Sequence, residues 1–162
     1  MNIWKRIGQL SIGQLIKLSV LFLKHPLLII PTLRATKRTF QICDKLYGTS
    51  HHKRNRANAF RHAFWNALLC KYSMKMTKNK QKSVFWAQKV TDLYEKVTQN
   101  DKLDEAMDVH NNAIGRICFL NTLEENEAEI VEKLNKMAKN AQKIAKIEEI
   151  KENYSVLVYI EE

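Results

Sequence analysis

The sequence predicts an all-α protein, a single helical bundle of five or six helices, on three observations. Only four glycines and two prolines occur in 162 residues, and both prolines precede residue 32, too few breakers for the tight turns of a β-sandwich or barrel. The 45% hydrophobic content is that of an ordinary globular chain rather than a disordered or fibrous one. Apolar stripes at three- and four-residue steps recur along the chain, the spacing of one helix face. The length suits one domain over 1–162, with an apolar, basic segment at 1–33, a bundle core at 58–120 and a C-terminal amphipathic helix at 122–150.

The elements follow in order. A first helix over Ile7–Lys24 stops before Pro26, because the residue preceding a proline resists the α region. Thr32 can cap a second helix to about Leu46, with Gly48 at its end. A basic connector, TSHHKRNR, spans 49–56, and its His51 and His52 read as solvated residues. The third helix covers Asn58–Met74; nine of the twelve residues from Ala59 to Cys70 are apolar, so it is expected to be central and buried. Trp86, Val90, Leu93 and Val97 give the fourth helix, Gln81–Val97, its inward stripe. The fifth begins near Asp101, where Asp104 and Glu105 suit the positive end of the helix dipole, and continues to about Leu120. Thr122 and Glu125 have the spacing of a capping box for a sixth helix, striped by Ile130, Leu134, Met137, Ala141 and Ile144. The last apolar run, YSVLVYI at 154–160, is short and β-branched, and is expected to dock on the bundle as a short extended segment or to pair as an edge.

Charge divides the chain. Residues 1–80 hold sixteen Lys or Arg and a single acid, Asp44, for a charge of +15, whereas 81–162 hold eleven bases and sixteen acids, for −5. A surplus that large exceeds what pairing with the other half can neutralise, so an anionic partner is expected: an anionic membrane surface, a phosphate-bearing substrate or a nucleic acid. Nucleic acid has only the charge in its favour. Lysines interrupt the N-terminal apolar stretch, which excludes a spanning helix and a signal peptide. The run from Leu15 to Ile30, preceded by Trp4, Lys5 and Arg6, either lies in the interface of an anionic bilayer or supplies a core helix. Three separated cysteines, Cys43, Cys70 and Cys118, in apolar surroundings read as buried thiols. A cytoplasmic location follows, peripheral on the inner membrane face.

Two segments are too polar for a bundle core. In NAFRHAFWN (58–66), Asn58, His62 and Asn66 share a stripe, with Arg61 and Trp65 beside it. In MDVHNNAIGR (107–116), Asp108, Asn111, Asn112 and Gly115 form a second stripe flanked by Arg116, while His110 shares a face with Met107, Ile114 and Ile117. Each such group costs on the order of 1–3 kcal/mol if buried without a partner, so the two segments are expected to face each other. Three kinds of site fit the inventory. His62 or His110, oriented by Asp108, can serve as a general base with Arg61 and Arg116 holding an anion. His62, His110, Asp108 and Glu95 can offer ligands to a divalent zinc- or iron-type metal, which is not favoured because no dedicated spacing such as HExxH is present. The same groups can also be a buried hydrogen-bond network that fixes helix register. Glu95, following Tyr94 on an amphipathic helix, reads as a surface carboxylate.

The set NAFRHAFWN (58–66), DLYE (92–95) and MDVHNNAIGR (107–116) resembles an uncharacterised bacterial helical domain of unknown function. The resemblance covers 58–116, about a third of the chain, and rests on three motifs in order. That family occurs as small stand-alone proteins in Flavobacteria-like bacteria and as a terminal module of large toxin-like proteins, which implies an activity on lipid, cell wall or nucleic acid. The matching positions are Arg61, His62, Trp65, Asn66, Glu95, Asp108, Asn111, Asn112, Gly115 and Arg116. Where the family pattern has a His before the glutamate this chain has Tyr94, which weakens a metal or acid–base role for that corner. A second resemblance, to serum amyloid A, lies in the order of its His-Ala, Trp-Ala, Asp/Glu and Asn-x-x-Gly-Arg steps and implies lipid binding. Three functions are therefore expected as alternatives: a membrane-peripheral hydrolase with a His/Asp/Asn/Arg cleft, a non-catalytic lipid- or partner-binding bundle, and a nucleic-acid binder.

Overall fold

The computed structural model describes residues 12–98 and 101–161. Its helices are α1 (Ile12–Leu23), α2 (Ile29–Tyr47), α3 (Arg56–Thr77), α4 (Lys80–Thr98), α5 (Lys102–Asn121), α6 (Glu127–Lys139) and a single turn, α7 (Glu149–Glu152). Short 3-10 turns at Pro26–Leu28 and Ser50–His52 flank α2. Two residue pairs form the sheet, β1 (Gln142–Lys143) running parallel to β2 (Val158–Tyr159). The expected all-α bundle is what forms, and the expected extended C-terminal segment docks on it.

α3 is the axis of the molecule. It packs against α2, α4, α5 and α6, which explains why its polar residues as well as its apolar ones are buried. Phe60 and Phe64 stack along it with ring centroids 5.3 Å apart, and Leu68, Leu69 and Cys70 continue the core. Asn55 starts the helix, its side chain accepting from the backbone N–H groups of Ala57 and Asn58.

α2 buries an unusual face of Thr32, Ala35, Thr36, Thr39 and Cys43. Each threonine hydroxyl donates to the carbonyl four residues back, and two of them then accept indole N–H groups: Trp86 reaches Thr32 Oγ1 and Trp65 reaches Thr36 Oγ1, both at 2.9 Å. The helix begins at Ile29, not at Thr32. Pro31 fits in its first turn because the N–H it lacks would have no partner there. Gly48 closes the helix at φ +57°, a left-handed φ that a side chain would strain.

Other boundaries shift for identifiable reasons. The capping box lies at Asn126 and Glu129 rather than Thr122 and Glu125, because Thr122 Oγ1 donates back to Cys118 O at 2.8 Å and so ends α5. Ala141 and Ile144 are buried as expected, but α6 stops at Lys139 and they belong to the extended segment around β1. The expected start of the first helix at Ile7, with Trp4, Lys5 and Arg6, lies outside the described residues, as does the side chain of Val97. No described helix is long and apolar enough to cross a membrane. The three cysteines are buried free thiols, with Cys43 and Cys70 pushed up to about 12 by burial.

Candidate functional site

The two polar segments meet along the α3–α5 contact, and glycine explains how closely. A Cβ on Gly115 would lie 2.7 Å from both the Cα and the carbonyl carbon of Ala63, so α5 rests directly on the backbone of α3. That approach brings Asn112 and Arg116 onto His62 and Asn66. Arg116 Nη1 donates to Asn66 Oδ1 at 3.0 Å, and Asn66 Nδ2 donates to Asn112 Oδ1 at 2.6 Å. Asn112 Nδ2 in turn donates to Glu95 Oε1 at 3.1 Å.

The chemistry of the ends fixes the direction of this chain. Arginine can only donate and an ionised carboxylate can only accept. The two amides between them therefore have one consistent orientation, and every donor in the chain points from the Arg116 guanidinium toward Glu95 Oε1.

His62 sits against the middle of it. Arg61 Nη2 donates to His62 Nε2 at 2.7 Å, which leaves the ring proton on Nδ1, 3.2 Å from Asn112 Oδ1. Carboxylates face both nitrogens: Glu95 Oε1 lies 3.6 Å from Nδ1, and Asp108 Oδ1 lies 3.3 Å from Nε2. His62 and Glu95 are each only 2% exposed, and Asn66 and Asn112 are also buried. His62, Glu95 and Asp108 each offer a donor atom within 4.8 Å of the others, a set that can surround a cation. Arg61 already directs its positive charge at Nε2, one of the two ring nitrogens such an ion could use.

Several expected site residues lie elsewhere. His110 does not join the cluster. Its Nε2 is 2.8 Å from the carbonyl of Val156, and the Ile117 with which it was expected to share a buried face is exposed. Asn111 clamps the C-terminal strand, donating to Val158 O at 2.9 Å and accepting from Val158 N at 3.0 Å. Asn58 Nδ2 donates to Lys53 O at 2.6 Å and holds the connector. Trp65 packs edge-on against Tyr94, with centroids 5.3 Å apart, in addition to its bond to Thr36.

Two readings are corrected. Glu95 is a buried carboxylate, not a surface one, because Ser83, Ala87, Thr91 and Glu95 follow at four-residue steps and all are buried. Small side chains at the first three positions let α4 approach, and Thr91 Oγ1 reaches Asn66 Oδ1 at 3.4 Å. His51 is not a solvated connector residue. It is fully buried, its Nε2 2.8 Å from Asp44 Oδ1, with burial holding its ring below the ordinary imidazole range. The carbonyl of His51 also accepts from Arg61 Nη1 at 2.6 Å, linking the turn to the network.

A family model described as "Domain of unknown function (DUF6973)" matches residues 19–142. The chain belongs to this family. The matched span contains α2–α6, including every residue of the His62 network and the Asp44–His51 pair; β2 and its clamp on Asn111 extend past it. No curated protein and no solved structure matches the chain.

Proposed function

We propose that this protein is a peripheral membrane protein that docks on anionic bilayers through the outer face of α1 and the start of α2, with the His62 network holding the bundle together. The observation that carries this reading is a run of exposed apolar residues. Ile12, Ile16, Val20 and Leu23 share one stripe of α1, and Leu27, Ile30 and Leu33 continue it at three- and four-residue steps; Leu23 is 77% exposed and Leu27 is 71% exposed. The other flank of α1 is occupied, with Leu21 and Phe22 on the core and Phe22 edge-on to Trp86. Lys24, Arg34 and Lys37 are exposed along the same stretch.

Magnitudes favour docking. Fully burying a Leu or Ile side chain contributes roughly 1.5–3 kcal/mol, and each Lys or Arg near an anionic leaflet contributes about 1 kcal/mol. The seven apolar residues, at roughly 10–20 kcal/mol if all insert, and the three basic ones, at about 3 kcal/mol, exceed the roughly 8 kcal/mol of micromolar affinity by an amount comparable to the cost of immobilisation.

The test is sedimentation with vesicles of phosphatidylcholine alone and of phosphatidylcholine with phosphatidylserine. Salt-sensitive binding to the mixed vesicles is expected, weakened at least tenfold by Leu23→Ser with Leu27→Ser at unchanged helical circular dichroism. Binding that ignores these substitutions, or tighter salt-sensitive binding to DNA or RNA, would overturn the proposal.

A second reading, hydrolysis of a phosphate-bearing or lipid-like substrate, is favoured by one observation: the carboxylates of Asp108 and Glu95 face the two nitrogens of His62. In that reading His62 is the base and Arg61 and Arg116 hold the anion. With His62 only 2% exposed, the bundle must open for substrate. His62→Gln separates the two readings. Loss of a phosphodiesterase or lipase activity at unchanged melting temperature supports catalysis, whereas a lowered melting temperature alone supports the structural network.

A further inference from the structure

A second group of ligand donors lies outside the His62 network, on the opposite side of Arg61. Asp44 in the last turn of α2 and His51 and His52 in the following 3-10 turn each present one donor atom, and the three atoms lie within 4.8 Å of one another. We propose that Asp44, His51 and His52 form a binding site for a divalent transition ion of the zinc class.

The donor chemistry selects that class. Two imidazoles and a carboxylate suit zinc and its neighbours, whereas calcium and magnesium take oxygen ligands. Zinc bonds to nitrogen and oxygen of about 2.0–2.2 Å place ligand atoms roughly 3–3.5 Å apart in a tetrahedral shell. His51 Nε2 and Asp44 Oδ1, at 2.8 Å, are already near that separation, and the imidazole centroids are 3.9 Å apart. The Asp44 side chain is 62% exposed, so it can swing to close the shell and leaves a path for the ion. His51, fully buried and edge-on to Phe40 with centroids 5.9 Å apart, supplies the rigid side.

Placement adds to the argument. Asp44 is the single acid among the first eighty residues, and it stands where two histidines converge. A hydrogen bond to His51 alone would anchor the turn; it does not require a second imidazole at the same point. Arg61 limits affinity without blocking the site. Its Nη1 is held by the carbonyl of His51 at 2.6 Å and lies 3.5 Å from His52 Nδ1, and the His52 ring stacks on Phe40 with centroids 6.1 Å apart, so the ion takes His52 in competition with the longer of these two Arg61 contacts.

The experiment is a calorimetric titration of the chelator-stripped full chain with Zn2+, with Co2+ absorption as a second readout. One equivalent is expected to bind, with a Co2+ spectrum free of thiolate charge transfer. Asp44→Asn and His52→Gln should each weaken binding at least tenfold while leaving the zinc-free circular dichroism unchanged. If Asp44→Asn loosens the turn, His52→Gln carries the test alone, because the Asp44–His51 bond survives it. No saturable equivalent, binding that survives His52→Gln as a site on the inner network would, or a thiolate band from the cysteines would each overturn the proposal.

Discussion

Asp104 shows how a salt bridge can fail to stabilise. Its Oδ2 lies 2.8 Å from Arg54 Nη2, yet its Oδ1 is buried without a hydrogen-bond partner among the described residues. Burial raises its carboxyl above the ordinary 3.8, and Arg54 only partly opposes this. The folded form thus holds a proton more tightly than the unfolded chain, so stability falls as pH rises from 3.8 through the raised value. Asp104→Asn is expected to remove that decline and to leave the melting temperature at pH 7 unchanged or slightly higher. A drop worth more than about 1 kcal/mol at pH 7 would show that the bridge to Arg54 dominates. At this scale the sequence was partly legible. The contacts of His62 and Asn66 with Asn112 and Arg116 follow from two polar stripes that had to find each other. The burial of Glu95 and His51 did not follow: the apolar stripe of α4 says nothing of Glu95's own direction, and the polar connector around His51 carries no periodicity at all. The four-step run of Ser83, Ala87 and Thr91 ahead of Glu95 was the available signal.

α3 and α5 meet through a glycine and a pair of amides as well as through apolar side chains. Gly115 on Ala63 sets the α3–α5 distance, and the atoms a methyl group would strike belong to backbone, which cannot turn aside. Gly115→Ala is therefore expected to destabilise the protein by roughly 1–3 kcal/mol despite the helix-propensity gain of about 1 kcal/mol. Chemical denaturation checks this, and a stabilised variant would mean the helices can separate at no cost. Element identity was well marked by periodicity and boundaries were not. Thr122 has the right residue three places ahead for a capping box, but its hydroxyl is spent on Cys118. Such competition between a side chain's local partners is invisible to a spacing rule.

The whole molecule separates its roles by sequence order. The basic first half carries the exposed apolar run and the Asp44 donors, while the acidic second half supplies the partners that lock α3 in place. The chain therefore carries its exposed apolar and basic stretch and its buried network on different parts of one bundle, and a single substitution can disturb either alone. Composition made the charge division legible, and left the apolar run open between an outer face and a core helix. The closing of the bundle by residues 154–160 was legible as one of two expectations, an extended segment docking on the bundle, though not as a clamp on Asn111.

The clamp between Asn111 and Val158 has a consequence for how the protein is made. Its two halves are 47 residues apart in the chain. At about 5–20 residues per second on a ribosome, α5 waits roughly 2–9 s before the strand that satisfies Asn111 is synthesised. Until β2 docks, the Asn111 amide lacks both of its backbone partners at Val158 and Met107 lacks one wall of its small core, so α5 is completed only by a pairing made late in synthesis.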